Sequence, residues 1–221
     1  MNLYSNDYQK YIKYKTKYIK LKNSIQQNGG NSLWIEENFF SEKEFNNILE
    51  DLRYVELKKD SRSNNRETLC LSPTKYKNIY EKIYNNNKFN AFIDSIKDKN
   101  CIIKLKPSYP IEYRKYFTGS KGMSWHKDLS MFEPNCFEIV LTLTNNSNSN
   151  FQWIENNKIK SLSPNPNTLV VVRPESIMHR VTPVNTGERT ILKFIVEFVK
   201  KGMNDNLKKS ELFNEINKCP F

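Results

Sequence analysis

"NTLVVVRPESIMHRVTPVNTGERTILKF", residues 167–194, decides the fold. Two runs rich in Val, Ile, Thr and Phe, "TLVVVRP" (168–174) and "RTILKFIVEFV" (189–199), flank a third, "HRVTPV" (179–184). Branched and aromatic side chains suit a pleated surface, and the intervening "NTGE" (185–188) supplies turn residues. The same texture extends upstream in "CIIKLKPSYPIEYRKYF" (101–117), "FEIVLTLT" (137–144) and "FQWIE" (151–155). Turn clusters punctuate it: "TGSKG" (118–122), "NNSNSN" (145–150) and "SPNPN" (163–167). Short, evenly spaced strands predict a barrel or jelly roll, not alternating strand–helix units.

Ahead of residue 101 the pattern is mostly helical. "LWIEENFFSEKEFNNILEDL" (33–52) reads as a strand and then a helix, with Ser41 and Glu44 forming a capping box. Phe45, Ile48 and Leu49 make that helix's apolar face. "TLCLS" (68–72) is a short strand, and "SPTKYKNIYEKIYNN" (72–86) is a helix begun at Ser72 or Pro73. "KFNAFIDSIKDK" (88–99) is a further amphipathic helix. The class expected is α+β, a jelly-roll core with N-terminal helices packed on it.

Four segments follow. Residues 1–25 are a basic leader in which Tyr4, Tyr8, Tyr11, Tyr14 and Tyr18 recur every three or four positions, with lysines between. That spacing predicts a helix with a Tyr/Ile stripe and a basic face. Residues 26–32, "QQNGGNS", form a linker, 33–200 the folded domain, and 201–221 a helical tail. The net charge of +11 invites a nucleic-acid partner. Six lysines and one aspartate of that balance fall within 1–25, so nearly half the excess sits in the leader and the body is mildly basic.

The mean hydropathy of −0.73 and the lack of a long apolar run argue against a transmembrane span. The start of the chain lacks the apolar stretch of a secretory signal. Cys70, Cys101, Cys136 and Cys219 lie far apart with no CxxC pair, which points away from a zinc site and a dense disulfide framework. Reduced thiols in a cytoplasmic setting, not a secreted one, are the reading.

The chain has two histidines, His126 in "MSWHKD" (123–128) and His179. His126 and Asp128 are two apart, so strand alternation would turn both to one face. His179 begins another strand-like run, and in a jelly roll that run can lie on the facing sheet. Two imidazoles and a carboxylate form a facial triad that leaves positions open on a metal. Zinc in such a triad can also serve hydrolysis. Arg189, ten residues after His179, keeps the same face if no bulge intervenes, and its fork can hold a carboxylate.

At these residues the chain resembles the Fe(II)/2-oxoglutarate-dependent dioxygenases, most closely the prolyl-4-hydroxylase-like branch. The shared pattern is His126-Lys127-Asp128, then His179, then Arg189. "WIEENFFSEKEFNNIL" (34–49) is similar to that branch's entry, and "YFTGSKGMSWHKD" (116–128) to its Tyr–Gly–HxD strand. The resemblance spans roughly residues 33–198. It implies a double-stranded β-helix of cupin type, with Fe(II) held by His126, Asp128 and His179. It also implies 2-oxoglutarate as cosubstrate, its far carboxylate on Arg189 and the Tyr116 hydroxyl, and ascorbate as reductant. Thr190 and Lys193 are lesser contacts. Prolyl hydroxylases usually carry Lys where Arg189 stands, and "SNSNFQWIE" (147–155) replaces their Gly-Gly-Glu stretch. The substrate class therefore does not transfer.

The implied activity is hydroxylation of a C–H bond, foremost on a protein or peptide side chain of prolyl or lysyl type. A nucleic-acid oxygenase or demethylase, using the basic leader, and a non-catalytic jelly-roll module are the alternatives. Tyr/Lys leaders of this kind resemble those of giant DNA virus proteins, which would place the chain in a host cytoplasm or a virion. Trp125 reads as a pocket wall, Phe151 and Trp153 as groove or core, and Arg173 and Arg180 as solvated or ion-paired surface.

Overall fold

The computed structural model describes residues 32–61, 63, 65–104, 109–129 and 136–202. The helices expected in the leader and in the tail lie outside the described residues. In chain order the elements are β1 (Leu33–Glu36), α1 (Glu42–Leu52), β2 (Lys58–Lys59), β3 (Arg66–Leu71), α2 (Lys77–Tyr84), α3 (Asn87–Ile96) and β4 (Cys101–Ile103). Then come β5 (Ile111–Phe117), β6 (Met123–His126), β7 (Cys136–Asn145), β8 (Phe151–Glu155) and β9 (Lys158–Leu162). The chain ends its regular structure with β10 (Leu169–Val172), β11 (His179–Val181) and β12 (Glu188–Lys200).

The strands make two antiparallel sheets. The larger runs β1-β10-β7-β12-β5-β3-β2, with β4 beside the far end of β12, and the smaller runs β6-β11-β8-β9. This is the jelly roll expected, and β12 is its spine, paired with β5 on one side and β7 on the other. Alternation gives the larger sheet two different faces. Leu192, Phe194, Val196 and Phe198 of β12, with Phe137, Ile139 and Leu141 of β7, enter the main core. Phe45 and Ile48 of α1, Ile83 of α2 and Phe89 and Ile93 of α3 fill the same core from the helices. Each such side chain contributes about 1.5–3 kcal/mol through burial. The opposite face, at Glu138, Val140, Thr142, Arg189, Ile191 and Lys193, turns toward the smaller sheet and walls a cavity. A second apolar cluster, around Phe151, Val170 and Val172, includes Val140, Trp153 and Val181 and joins the two sheets beside that cavity.

Local signals explain the ends of elements. The capping box at Ser41 and Glu44 is present at α1. α2 begins at Lys77, not at Ser72. Ser72 instead closes a turn, its Oγ accepting from Lys75 N and its carbonyl from Tyr76 N. Cys70 is disulfide-bonded, contrary to the four reduced thiols expected, whereas Cys101 and Cys136 are buried. Spacing along the sequence does not set distance in space.

Asn167 ties the helical layer to the sheet. It sits at φ 64, a left-handed conformation that Asn tolerates. Its Oδ1 accepts from Phe40 N at 3.0 Å and its Nδ2 donates to Phe40 O at 2.7 Å. Asn167→Ala is expected to lower unfolding stability by about 2–4 kcal/mol, from two orphaned buried backbone groups and a strained alanine. Chemical denaturation measures it, and a loss below about 1 kcal/mol would refute the clamp.

Candidate active site

β6 and β11 are antiparallel neighbours, and His126 faces His179 directly across the ladder. The imidazole centroids lie 4.4 Å apart. The two histidines therefore share one sheet, where facing sheets had been the other arrangement open to them. Asp128 lies beyond the end of β6, so alternation along a strand is not what aims it. Its backbone is fixed instead from the segment before β11. Glu175 N–H donates to Asp128 O at 2.7 Å, with Glu175 at φ 60.

The side chains converge. His126 Nε2 is 3.5 Å from Asp128 Oδ1, and His179 Nε2 is 3.4 Å from Asp128 Oδ2. All three ligand atoms fall within 4.8 Å of one another. Each ring's Nδ1 lies near a backbone carbonyl, His126 at 2.7 Å from Ser124 O and His179 at 3.2 Å from Ile177 O. Those bonds set Nδ1–H as the donor and leave both Nε2 lone pairs toward Asp128. Burial pushes the His179 pKa down, against the opposing pull of Asp128, and the neutral ring is the form that ligates a cation. Asp128 Oδ2 is buried with no hydrogen-bond partner. Two imidazole nitrogens, one carboxylate and an orphaned oxygen fit a divalent transition metal with open positions.

Arg189 stands across the cavity on the larger sheet, whereas His179 is on the smaller one. Counting residues along a common strand was thus the wrong reason to pair them, since the chain changes sheets between 182 and 187. β12 also shifts register against β7 between Thr190 and Ile191. Arg189 is 5% exposed, yet its Nε and Nη1 have no hydrogen-bond partner. Tyr116 is its cross-strand partner, with the guanidinium 6.0 Å from the ring centroid. Burial pushes the Tyr116 phenol up, but Arg114, Arg189 and Arg66 outweigh it and hold the group below its ordinary value. Burial pushes Arg189 down, opposed by Tyr116. The hydroxyl of Thr142, on the same wall, is also buried without a partner. A buried cation with unused donors is costly unless an anion completes it.

Lys193 pairs with Glu138 at 2.8 Å, and Thr190 is buried beside the β12 register shift. Trp125 carries the Arg180 guanidinium 4.7 Å over its ring. Neither Trp125 nor Arg180 is among the residues that line the cavity, so Trp125 is not a pocket wall. Arg173 is half-buried, its guanidinium 5.7 Å over both Trp34 and Phe137. Phe151 lines the cavity and stacks on Trp153 at 5.6 Å. Sequence reasoning missed Arg114, whose ion pair with Glu112 and contact with Tyr116 brace the cavity wall. The signal was there in "IEYRKYF": Glu112, Arg114 and Tyr116 alternate along β5.

No family model matches the sequence, and no curated protein does. Solved structures do. A prolyl hydroxylase from Trichoplax adhaerens, in complex with a hypoxia inducible factor peptide fragment, is 15% identical with a TM-score of 0.59, covering 84% of this chain and 92% of that one. The viral collagen prolyl hydroxylase of Paramecium Bursaria Chlorella virus-1, with 2-oxoglutarate, is 16% identical with a TM-score of 0.52, over 76% and 97%. HygX from Streptomyces hygroscopicus, with nickel, 2-oxoglutarate and hygromycin B bound, is 7% identical with a TM-score of 0.57, over 75% and 82%. The fold is that of these structures, the double-stranded β-helix with helices on one sheet. Among the described residues no helix is long and apolar enough to cross a membrane.

Proposed function

We propose that this protein is an Fe(II)- and 2-oxoglutarate-dependent dioxygenase that hydroxylates a C–H bond of a protein or peptide side chain. The observation that carries the reading is a single cavity bounded by a His–Asp–His set and by a buried Arg with open donors. The fold neighbours add to it, because one holds 2-oxoglutarate with nickel and another holds a peptide.

In this reading His126, Asp128 and His179 hold the metal. Bound Fe(II) supplies the redox chemistry that couples decarboxylation of 2-oxoglutarate to oxygen insertion. The balance is substrate C–H, O2 and 2-oxoglutarate going to substrate C–OH, succinate and CO2. Nδ1 bonding to Ser124 and Ile177 carbonyls fixes both ring orientations. Arg189 grips the far carboxylate of 2-oxoglutarate, Tyr116 assists, and Arg114 holds the phenol in place. Val140, Phe151 and Val170 exclude water from the space between. A buried, preset cation costs little reorganisation when the anion arrives.

Succinate release tests the reading, with Fe(II) and 2-oxoglutarate against a peptide panel, for the wild type and for His126→Ala. The wild type is expected to release succinate above the no-iron control and His126→Ala to fall to that control. Equal release by both would overturn it.

A further inference from the structure

Among the described residues, two ion pairs stand on the cavity face of the larger sheet, and they differ in one respect. Arg114–Glu112 is sealed: the side chains are 10% and 0% exposed, and Tyr109 donates to Glu112 Oε1 at 2.7 Å. Lys193–Glu138 is open, at 21% and 18%. Both of its members line the cavity that holds the metal ligands. The sealed pair is scaffold. The open pair has spare hydrogen-bonding capacity, since a carboxylate accepts at two oxygens and an ammonium donates three times.

The charge balance selects what docks there. Lys193 and Glu138 neutralise each other. A cationic side chain would leave one buried charge uncompensated, and so would an anionic one. An apolar ring would strip water from the pair and return no hydrogen bonds. A net-neutral group with a donor and an acceptor on one edge satisfies both members at once. A primary carboxamide is such a group: its N and O lie about 2.2 Å apart, given bonds of about 1.33 and 1.23 Å. The Lys193 Nζ to Glu138 Oε1 separation of 2.8 Å presents the complementary edge.

We propose that Glu138 and Lys193 select a primary carboxamide side chain, asparaginyl or glutaminyl, with N–H donated to Glu138 and C=O accepting from Lys193. The proposal rests on the oxygenase reading and narrows its substrate. It also gives Lys193 a substrate role in place of a cosubstrate contact.

The experiment uses the full chain with Fe(II) and 2-oxoglutarate. The substrates are otherwise identical peptides carrying Asn, Gln, Lys, Glu or Pro at the centre, followed by succinate release and by mass gain of one oxygen. Amide peptides are expected to be at least about tenfold better substrates than the others. Lys193→Met and Glu138→Leu should each lower kcat/KM for the amide peptide about 10- to 100-fold, the range for a lost hydrogen bond to a charged group. The KM for 2-oxoglutarate should stay within about twofold, and Lys193→Arg should recover part of the loss. Calorimetric binding of 2-oxoglutarate with Mn(II) is the separate check on the oxygenase reading, and thermal melting checks folding. Four results overturn the carboxamide assignment: a preference for prolyl, lysyl or acidic peptides; no hydroxylation of any peptide with cosubstrate binding intact; a raised 2-oxoglutarate KM in Lys193→Met; or unchanged kcat/KM in both folded variants. Loss of Mn(II)/2-oxoglutarate binding by the wild type would overturn the underlying reading as well.

Discussion

An Asp128→Ala protein is expected to lose Fe(II)-dependent succinate release by about 10³-fold or more while melting no lower than the wild type. The two halves of this prediction come from the same atoms. Asp128 Oδ1 and Oδ2 lie 3.5 and 3.4 Å from the two Nε2 atoms, and Oδ2 is buried with no hydrogen bond. Without a cation, the buried Oδ2 lacks a hydrogen-bond partner, so deleting the carboxylate removes a cost. With a cation in place it is the anionic ligand, and losing about 4 kcal/mol of metal binding and positioning corresponds to about 10³ in rate. A core residue behaves oppositely, losing stability and activity together. The measurements are succinate release, metal content after reconstitution with Mn(II), and thermal melting. Retained metal stoichiometry in Asp128→Ala would remove Asp128 from the ligand set.

That functional residues carry local cost explains which parts of the site were legible in the sequence. The jelly roll was readable because its strands are short, branched and punctuated by Asn, Gly and Pro. Helix α1 was readable because Ser41 and Glu44 satisfy each other's backbone groups without help from elsewhere. His126, Asp128 and His179 stood out as residue types, but their geometry did not. His126 and His179 meet across one ladder, and Asp128 is aimed by the Glu175 N–H, a contact between residues 47 apart. Nothing local to "WHKD" specifies that contact. Strand β9 was missed because "KIKSL" is mostly exposed edge, without the apolar alternation that marks a buried strand. Glu138 and Lys193 were unreadable as a pair because their contact depends on the register of β7 against β12, which no residue count fixes.

The second large effect belongs to Arg189. Replacing it with methionine is expected to raise the KM for 2-oxoglutarate by roughly 30- to 5,000-fold, the range for removing one partner of a buried charged pair at about 2–5 kcal/mol. The variant should still bind Mn(II), because Arg189 lies on the sheet opposite His126 and His179. Arg189→Met should also melt higher than the wild type without ligand, since a buried cation with two unused donors gives way to an apolar chain of similar length. Adding 2-oxoglutarate with Mn(II) should reverse that order, stabilising the wild type through binding and leaving the variant unmoved. Arg189→Lys tests the geometry separately from the charge. Lysine keeps the cation but not the fork, so an intermediate KM is expected if two parallel hydrogen bonds matter and a wild-type KM if charge alone suffices. The crossing of the two melting series is the discriminating result. A structural arginine buried for packing would destabilise the protein when replaced, with or without the cosubstrate, and that outcome would remove the anion-binding assignment while leaving the metal site standing.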